Sequence, residues 1–323
     1  MKILRLPANE QGRDFVCGDI HGSYSCVTRF LSEINFDKKK DRLICAGDIV
    51  DRGPENEKCL SLLFEPWFYC CMGNHEHMML HYFTNGPYGY YWGGNGGNWG
   101  TKYKMWAVSW EAAGNIDPAA RTKEGEWVRE TVLHKVSDLP YLITVEKKDG
   151  SIFHVLHAEL PPKMKVTDAD LADENRLKEI ATKQTGDGDT IIWGRFMFYA
   201  MYRQTMDETH VRKIRRFATL EKLDKFFSDL SPIYSGHTIV KQPVQFFGQT
   251  NLDTMAYGSY GTSGGYGYAP TPGPEWAGLT VTEPATGKFW LVNDREFKET
   301  SPIVIEPLPP GNYTKLELTE EHD

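Results

Sequence analysis

The sequence predicts an α/β fold, and three observations carry the prediction. Apolar runs of strand length stand at Asp14-Phe-Val-Cys17, Arg42-Leu-Ile-Cys-Ala46 and Trp67-Phe-Tyr-Cys-Cys71, each leading into a glycine turn. Each turn carries a cluster of Asp, His or Asn side chains. Helical spacing of apolar residues then resumes. In open α/β sheets such loops gather beyond the carboxyl ends of the strands, where ligands bind.

Taken in order, the first strand is followed by Tyr24, Val27, Phe30, Leu31 and Ile34, spaced as the buried face of a helix. After the second strand, Cys59, Leu60, Leu62 and Leu63 predict another buried helical face. A helix is also expected from Asn74, with His77 and His81 on its partly exposed side. Residues 84 to 105 hold seven glycines and the aromatics Tyr88, Tyr90, Tyr91, Trp92 and Trp99; they read as an elaboration, either a lid or a packed plug. Residues 162 to 230 read as a helical insertion, with one stripe through Leu171, Leu177 and Ile180 and another through Leu220, Leu223, Phe226, Phe227 and Leu230. Residues 257 to 276, with six Gly, three Pro and four Tyr, are expected to form an exposed loop. Strands resume at Gly278-Leu-Thr-Val-Thr282 and Lys288-Phe-Trp-Leu-Val292. One domain over residues 1–306 and a surface tail over 307–323 complete the division.

The loops themselves are chemically specific. Gly18-Asp-Ile-His-Gly22, Gly47-Asp-Ile-Val-Asp-Arg-Gly53 and Gly73-Asn-His-Glu76 offer the oxygen and imidazole donors that divalent Mn, Fe or Zn prefer, and a carboxylate between two such ions can bridge them. Any one of these motifs alone is more often a capped turn than a metal site. Their joint occurrence, with His157 in Val155-Leu-His-Ala-Glu159 and His237 in Ser235-Gly-His-Thr238, reverses that expectation.

These five motifs, in this order, resemble the phosphoprotein phosphatase branch of the calcineurin-like metallophosphoesterases, and within it the bacterial and phage enzymes of the bacteriophage lambda type. The resemblance implies a four-layer α/β/β/α sandwich with the helical insertion at 162–230. It implies Asp19 and His21 as ligands of a first metal, Asn74, His157 and His237 as ligands of a second, and Asp48 as the bridge. Two Mn ions are the implied cofactor, with Fe or Zn able to take their place. Metal-bound hydroxide is the implied nucleophile, His75 the general acid and Asp51 its supporting carboxylate. Arg52 and Asn74 match phosphate-binding positions. Arg195 in Trp193-Gly-Arg195 is the second arginine, with Arg203 competing for that role. Guanidinium forks suit phosphoryl oxygens.

Two departures stand out. Met72 replaces an arginine common in relatives, and Met255 in Leu252-Asp-Thr-Met255 replaces a glycine, which is expected to alter that turn. The expected activity is metal-dependent hydrolysis of phosphomonoesters, with phosphoserine and phosphothreonine in proteins as substrates. Hydrolysis of dinucleoside polyphosphates such as diadenosine tetraphosphate, or of cyclic nucleotides, is the alternative. A silent metal-bearing binding protein is a third reading, opposed by the complete set of ligands together with His75 and Asp51.

Composition narrows the partners. With 323 residues, 40% of them hydrophobic and nine of them Trp, the chain can fill a large core. Thirty-six basic against 44 acidic residues leave a net charge of -8, which argues against extended nucleic-acid binding. The basic run Arg212-Lys-Ile-Arg-Arg216 is the one exception. No run reaches membrane-spanning length and no signal peptide is read at Met1-Lys-Ile-Leu-Arg-Leu-Pro7, so a cytoplasmic enzyme is expected. The six cysteines read as reduced core residues, with Cys70 and Cys71 pointing to opposite faces of one strand.

Overall fold

A computed structural model of the chain describes residues 1–103, 123–161, 165–182, 190–195, 229–260 and 273–304. Its strands are β1 (Ile3–Leu6), β2 (Asp14–Cys17), β3 (Arg42–Cys45), β4 (Phe68–Cys70), β5 (Leu142–Glu146), β6 (Ile152–Leu156), β7 (Ile233–Ser235), β8 (Val244–Phe246), β9 (Gln249–Asn251), β10 (Leu279–Glu283), β11 (Lys288–Val292), β12 (Phe297–Thr300) and β13 (Ile303–Val304). They form a six-stranded sheet of order β12-β11-β10-β2-β3-β4 and a seven-stranded sheet of order β1-β5-β6-β7-β9-β8-β13. In the first sheet β2, β3 and β4 run parallel, and β10, β11 and β12 close it antiparallel.

Side-chain alternation along the strands sorts the core into layers. Phe15 and Cys17 of β2, Leu43 and Cys45 of β3 and Cys70 of β4 face outward into one apolar cluster. There they meet α1 (Tyr24–Glu33), α2 (Asn56–Ser61) and α3 (Asn74–Phe83). Val16 and Ile44 face inward, with Cys71 beyond the end of β4, and meet Ile143, Val145, Phe153 and Val155 of the second sheet. The outer face of that sheet, at Leu142, Leu156 and Ile233, is covered by Leu171, Leu177, Ile180, Ile191 and Ile192. The helices that supply these residues are Asp168–Leu171, Glu174–Thr182 and Thr190–Trp193. The order is helix, sheet, sheet, helix, the expected four-layer sandwich. Strands buried on both faces are near-continuous apolar runs, which is why they were legible.

Several expectations change in detail. The helix after the second loop is short and tightens into a 3-10 turn at Leu62–Phe64. The segment from residue 257 is not exposed where it begins: Ala256–Tyr260 is a buried 3-10 turn, with Tyr257 only 5% accessible. Met255 stands in left-handed backbone, at φ 61°, and its N–H donates to Asp253 Oδ1 at 3.0 Å. Met72 is core, 2% accessible. All six cysteines are free and buried, and Cys70 and Cys71 fall in different core layers, on opposite faces as expected. No described helix is long and apolar enough to cross a membrane. Arg203, the run Arg212–Arg216, the stripe Leu220–Phe227, residues 261–272 and the tail from 305 lie outside the described residues.

Candidate metal centre

Strand register brings the three loops together. Cys17 pairs with Cys45 and Cys45 with Cys70, so the segments that begin at Gly18, Ala46 and Cys71 leave the first sheet side by side. In the second sheet β6 and β7 are parallel neighbours, and His157 and His237 follow their carboxyl ends. The crossing is tight. A side chain at Gly47 (φ 115°) would strike His157 Nδ1 at 2.8 Å, and one at Gly236 would strike the Asp19 carboxylate.

Five residues of the site hold left-handed backbone: His21 (φ 44°), Asp48 (51°), Asp51 (74°), Arg52 (69°) and His237 (69°). Each such residue costs about 1–3 kcal/mol and persists only where its surroundings over-determine it. Glu76 supplies part of that constraint. Its carboxylate accepts the N–H groups of Asp48 (2.8 Å), Ile49 (2.8 Å) and Gly73 (3.1 Å). From the start of α3 it thus ties the Asp48 loop to Gly73.

Asp48 stands at the centre. Its Oδ2 lies 3.6 Å from His21 Nε2 and 3.4 Å from His157 Nε2, while Oδ1 accepts the His75 N–H at 2.9 Å. Two clusters with metal-binding geometry share it: His21, Asp48 and His75, and Asp48, His157 and His237. Asp19 reaches within 3.8 Å of His21 Nε2 and accepts the His237 N–H. Asn74 Oδ1 lies 2.9 Å from His157 Nε2, which also lies 3.1 Å from His237 Nδ1.

The donor set fits cations. His21 Nδ1 donates to Val50 O (2.8 Å) and His157 Nδ1 to Ala46 O (3.1 Å), which leaves each Nε2 lone pair directed inward, the tautomer a metal requires. Burial, and then Arg52, lower the pKa of His21; burial, and then Arg195, lower that of His237. Both are therefore held neutral. Burial followed by the carboxylates of Asp253 and Asp48 raises Asp19 well above the usual carboxylate range. Burial acts in the same direction on Asp48, but the imidazoles of His157 and His75 outweigh it and hold Asp48 well below that range. Crowded acids and inward lone pairs are relieved by positive charge. The Arg52 guanidinium supplies some of it, 2.7 Å from His21 Nε2.

His75 is differently placed. Its Nδ1 pairs with Asp51 Oδ2 at 2.6 Å, and its Nε2 is buried with no hydrogen-bond partner among the described residues. On geometry alone it can serve as a ligand or as a proton donor, with the Asp51 carboxylate fixing the orientation of the ring. Asp51 N–H is fixed by Asn56 Oδ1 at 2.6 Å. Arg52 sits over the Tyr257 ring at 5.2 Å, and Arg195 acts on His237 and Asp253 electrostatically. Every expected ligand, His75, Asp51 and both arginines thus meet in one region. His77 and His81 do not join it. They are partly buried against Tyr88, with Nε2 atoms 3.1 Å apart.

Sequence reasoning missed Asp253, and it named Trp92 and Trp99 without their contact to Asp51. Asp253 is fully buried, its Oδ2 has no hydrogen-bond partner among the described residues, and burial raises its pKa against the Met255 N–H and the two arginines. Trp92 and Trp99 both donate to Asp51. Asp253 lay in a segment noted only for its Met, and an indole N–H has no sequence signature. Glu159 is buried against Gly194.

A double-sheet sandwich with paired imidazole and carboxylate clusters sharing one aspartate at its strand ends defines a metal-dependent phosphatase that uses divalent ions. The chain belongs to the calcineurin-like phosphoesterase family, whose model matches residues 15–238. It is similar to serine/threonine-protein phosphatase 2 of Escherichia coli (strain K12), at 30% identity over 206 residues, 61% of this chain and 85% of that protein. Serine/threonine-protein phosphatase 1 of Salmonella typhimurium is 40% identical over 98 residues, covering 30% of this chain and 45% of that one. The symmetrical bis(5'-nucleosyl)-tetraphosphatase of Wigglesworthia glossinidia brevipalpis is 40% identical over 68 residues, 20% of this chain and 25% of that protein.

Proposed function

We propose that the protein is a manganese-activated serine/threonine protein phosphatase acting on phosphomonoesters. The observation that carries this reading is Asp48, shared by two buried clusters, with the His75–Asp51 pair alongside. Asp19, His21 and Asp48 would hold one ion, and Asp48, Asn74, His157 and His237 the other. When bound, the ions supply an acidified water and neutralise charge on the phosphoryl oxygens. The chain does the rest. Arg52, Arg195 and Asn74 grip the non-bridging oxygens, and His75 Nε2 delivers a proton to the leaving oxygen as the ester P–O bond breaks, with Asp51 holding the imidazole in place.

Similarity over most of the Escherichia coli phosphatase supports a protein substrate, and the shorter match to a tetraphosphatase keeps a nucleotide substrate as the second reading. Turnover of a phosphoserine peptide, diadenosine tetraphosphate and a 2',3'-cyclic nucleotide, each with Mn and after chelation, tests both. The phosphopeptide is expected to have the highest kcat/KM, with activity lost on chelation and restored by Mn. A preference for the tetraphosphate would replace the first reading with the second. Activity that survives verified metal removal would overturn the mechanism. His75→Asn should retain both metals and lower kcat by about two to four orders of magnitude; loss of metal instead would make His75 a ligand.

A further inference from the structure

The aromatic, glycine-rich segment after α3 ends its path against the catalytic acid. Trp92 Nε1 donates to Asp51 Oδ2 at 2.9 Å, and Trp99 Nε1 donates to Asp51 Oδ1 at 2.7 Å. With His75 Nδ1 on Oδ2, three N–H groups converge on one fully buried carboxylate. A carboxylate is free to turn about its terminal torsion, and a donor on each oxygen removes that freedom.

The indoles are themselves fixed. Trp92 is fully buried, in contact with Tyr82 and Phe83 at ring separations of 5.0 and 5.7 Å and with Trp99 at 5.9 Å. Side chains at Gly97 or Gly100 would overlap its ring at 2.4 and 2.5 Å, so these glycines are what allow the chain to wrap it. The same segment touches the next residue of the site: a side chain at Gly96 would meet the Arg52 backbone nitrogen at 2.8 Å. Asp51 and Arg52 are consecutive residues in left-handed backbone, a conformation that needs support from outside its own turn.

We propose that Trp92 and Trp99 are positioning residues for acid catalysis: their indole N–H groups lock the Asp51 carboxylate in the plane that keeps His75 Nδ1–H engaged and Nε2 aimed at the leaving oxygen. The segment is then a fixed part of the proton-delivery apparatus rather than a mobile lid. This inference rests on His75 acting as the proton donor.

The test replaces each indole with a ring that cannot donate, Trp99→Phe and Trp92→Phe, in the Mn-loaded full chain. Two substrates are compared: a phosphoserine peptide, whose alkoxide must be protonated as it leaves, and p-nitrophenyl phosphate, whose phenolate need not be. Trp99→Phe is expected to lower kcat on the peptide roughly 10- to 100-fold, the usual effect of losing a hydrogen bond that supports an active-site imidazole. On p-nitrophenyl phosphate the loss should stay below about threefold, with KM and metal content unchanged on both. In a His75→Asn background Trp99→Phe should cause no further loss, because residues acting through one group are non-additive.

Equal losses on the two substrates, an undiminished loss in the His75→Asn background, or no loss at all would overturn the proposal. Trp92 is the more deeply packed, and if Trp92→Phe fails to fold, Trp99→Phe decides alone. If the parent chain turns over neither substrate, the functional reading has failed. The geometric part is then decided by the indole N–H proton resonances of Trp92 and Trp99, which should both move on Asp51→Asn and would stay in place if the indoles do not hold that carboxylate.

Discussion

Asp48 uses its two oxygens for different tasks, one ordering the first turn of α3 and the other facing imidazoles from both sheets. An amide in its place keeps the shape but loses the charge that a bridge between two cations needs. Asp48→Asn is therefore expected to reduce metal content at both proposed positions, measured by elemental analysis after gel filtration, and to abolish turnover. Full occupancy with normal turnover would remove Asp48 from the role of bridge. Glu76 gives a second test at this scale, because it carries no proposed chemistry. Its oxygens accept four backbone N–H groups, and Glu76→Gln turns an amide donor toward at least one of them. The expected cost is about 2–3 kcal/mol in urea unfolding, with reduced metal retention because the Asp48 loop loses its anchor. The candidate Asp, His and Asn ligands were legible in the sequence because their chemistry is carried by residue type and local spacing. Glu76 was half legible: its place at a helix start could be read, its partners across the loop could not.

Among the elements, α3 shows how far periodicity reaches. Its helical spacing and the partial exposure of His77 follow from the sequence, but the environment of that histidine does not. Burial, with His81 adding to it, lowers the His77 pKa to about 4 from an ordinary 6.5. The folded chain thus keeps the ring neutral. Between pH 6.5 and about 4 the unfolded chain takes up a proton that the folded chain refuses, so stability is complete above 6.5 and falls as the pH drops through this window. For this one group the loss is about 1–2 kcal/mol at pH 5. His77→Gln should therefore show a smaller drop in urea midpoint between pH 7.5 and pH 5 than the parent chain; an identical drop would mean that His77 does not set it. The segment from Pro87 to Tyr103 is the contrary case. Glycines and aromatics without a period predict only irregular structure, and whether such a stretch covers the site or packs into it depends on contacts with Asp51 and Arg52 that lie tens of positions away in sequence.

At the scale of the molecule, the centre is divided between two sheets. Asp19, Asp48 and Asn74 leave the first, and His157 and His237 leave the second. The packing between the sheets therefore sets the distance across the proposed metal pair. Phe153, 1% accessible and in edge contact with Tyr234 at 5.6 Å, fills that layer. Phe153→Ala should cost about 3–5 kcal/mol and weaken Mn retention although the residue touches no ligand. Loading the parent chain with Mn should raise its thermal midpoint, since ions that bind only the folded state stabilise it by mass action. Unchanged Mn affinity in Phe153→Ala would show that the two sheets hold the site independently of this packing.

By itself the sequence determined the strands that carry the loops and the donor residue types placed in them, with the pairing of Asp51 and His75 implied by family resemblance. Strand period, glycine placement and donor chemistry are local properties, written within a few residues of one another. Only the tertiary structure decided that Asp253 joins the site, that Trp92 and Trp99 reach Asp51, that Tyr257 is buried beside Arg52, and that Met255 takes left-handed backbone. Each of these depends on which distant segments share a volume, and burial, hydrogen-bond satisfaction and backbone strain take their values only once that volume is filled.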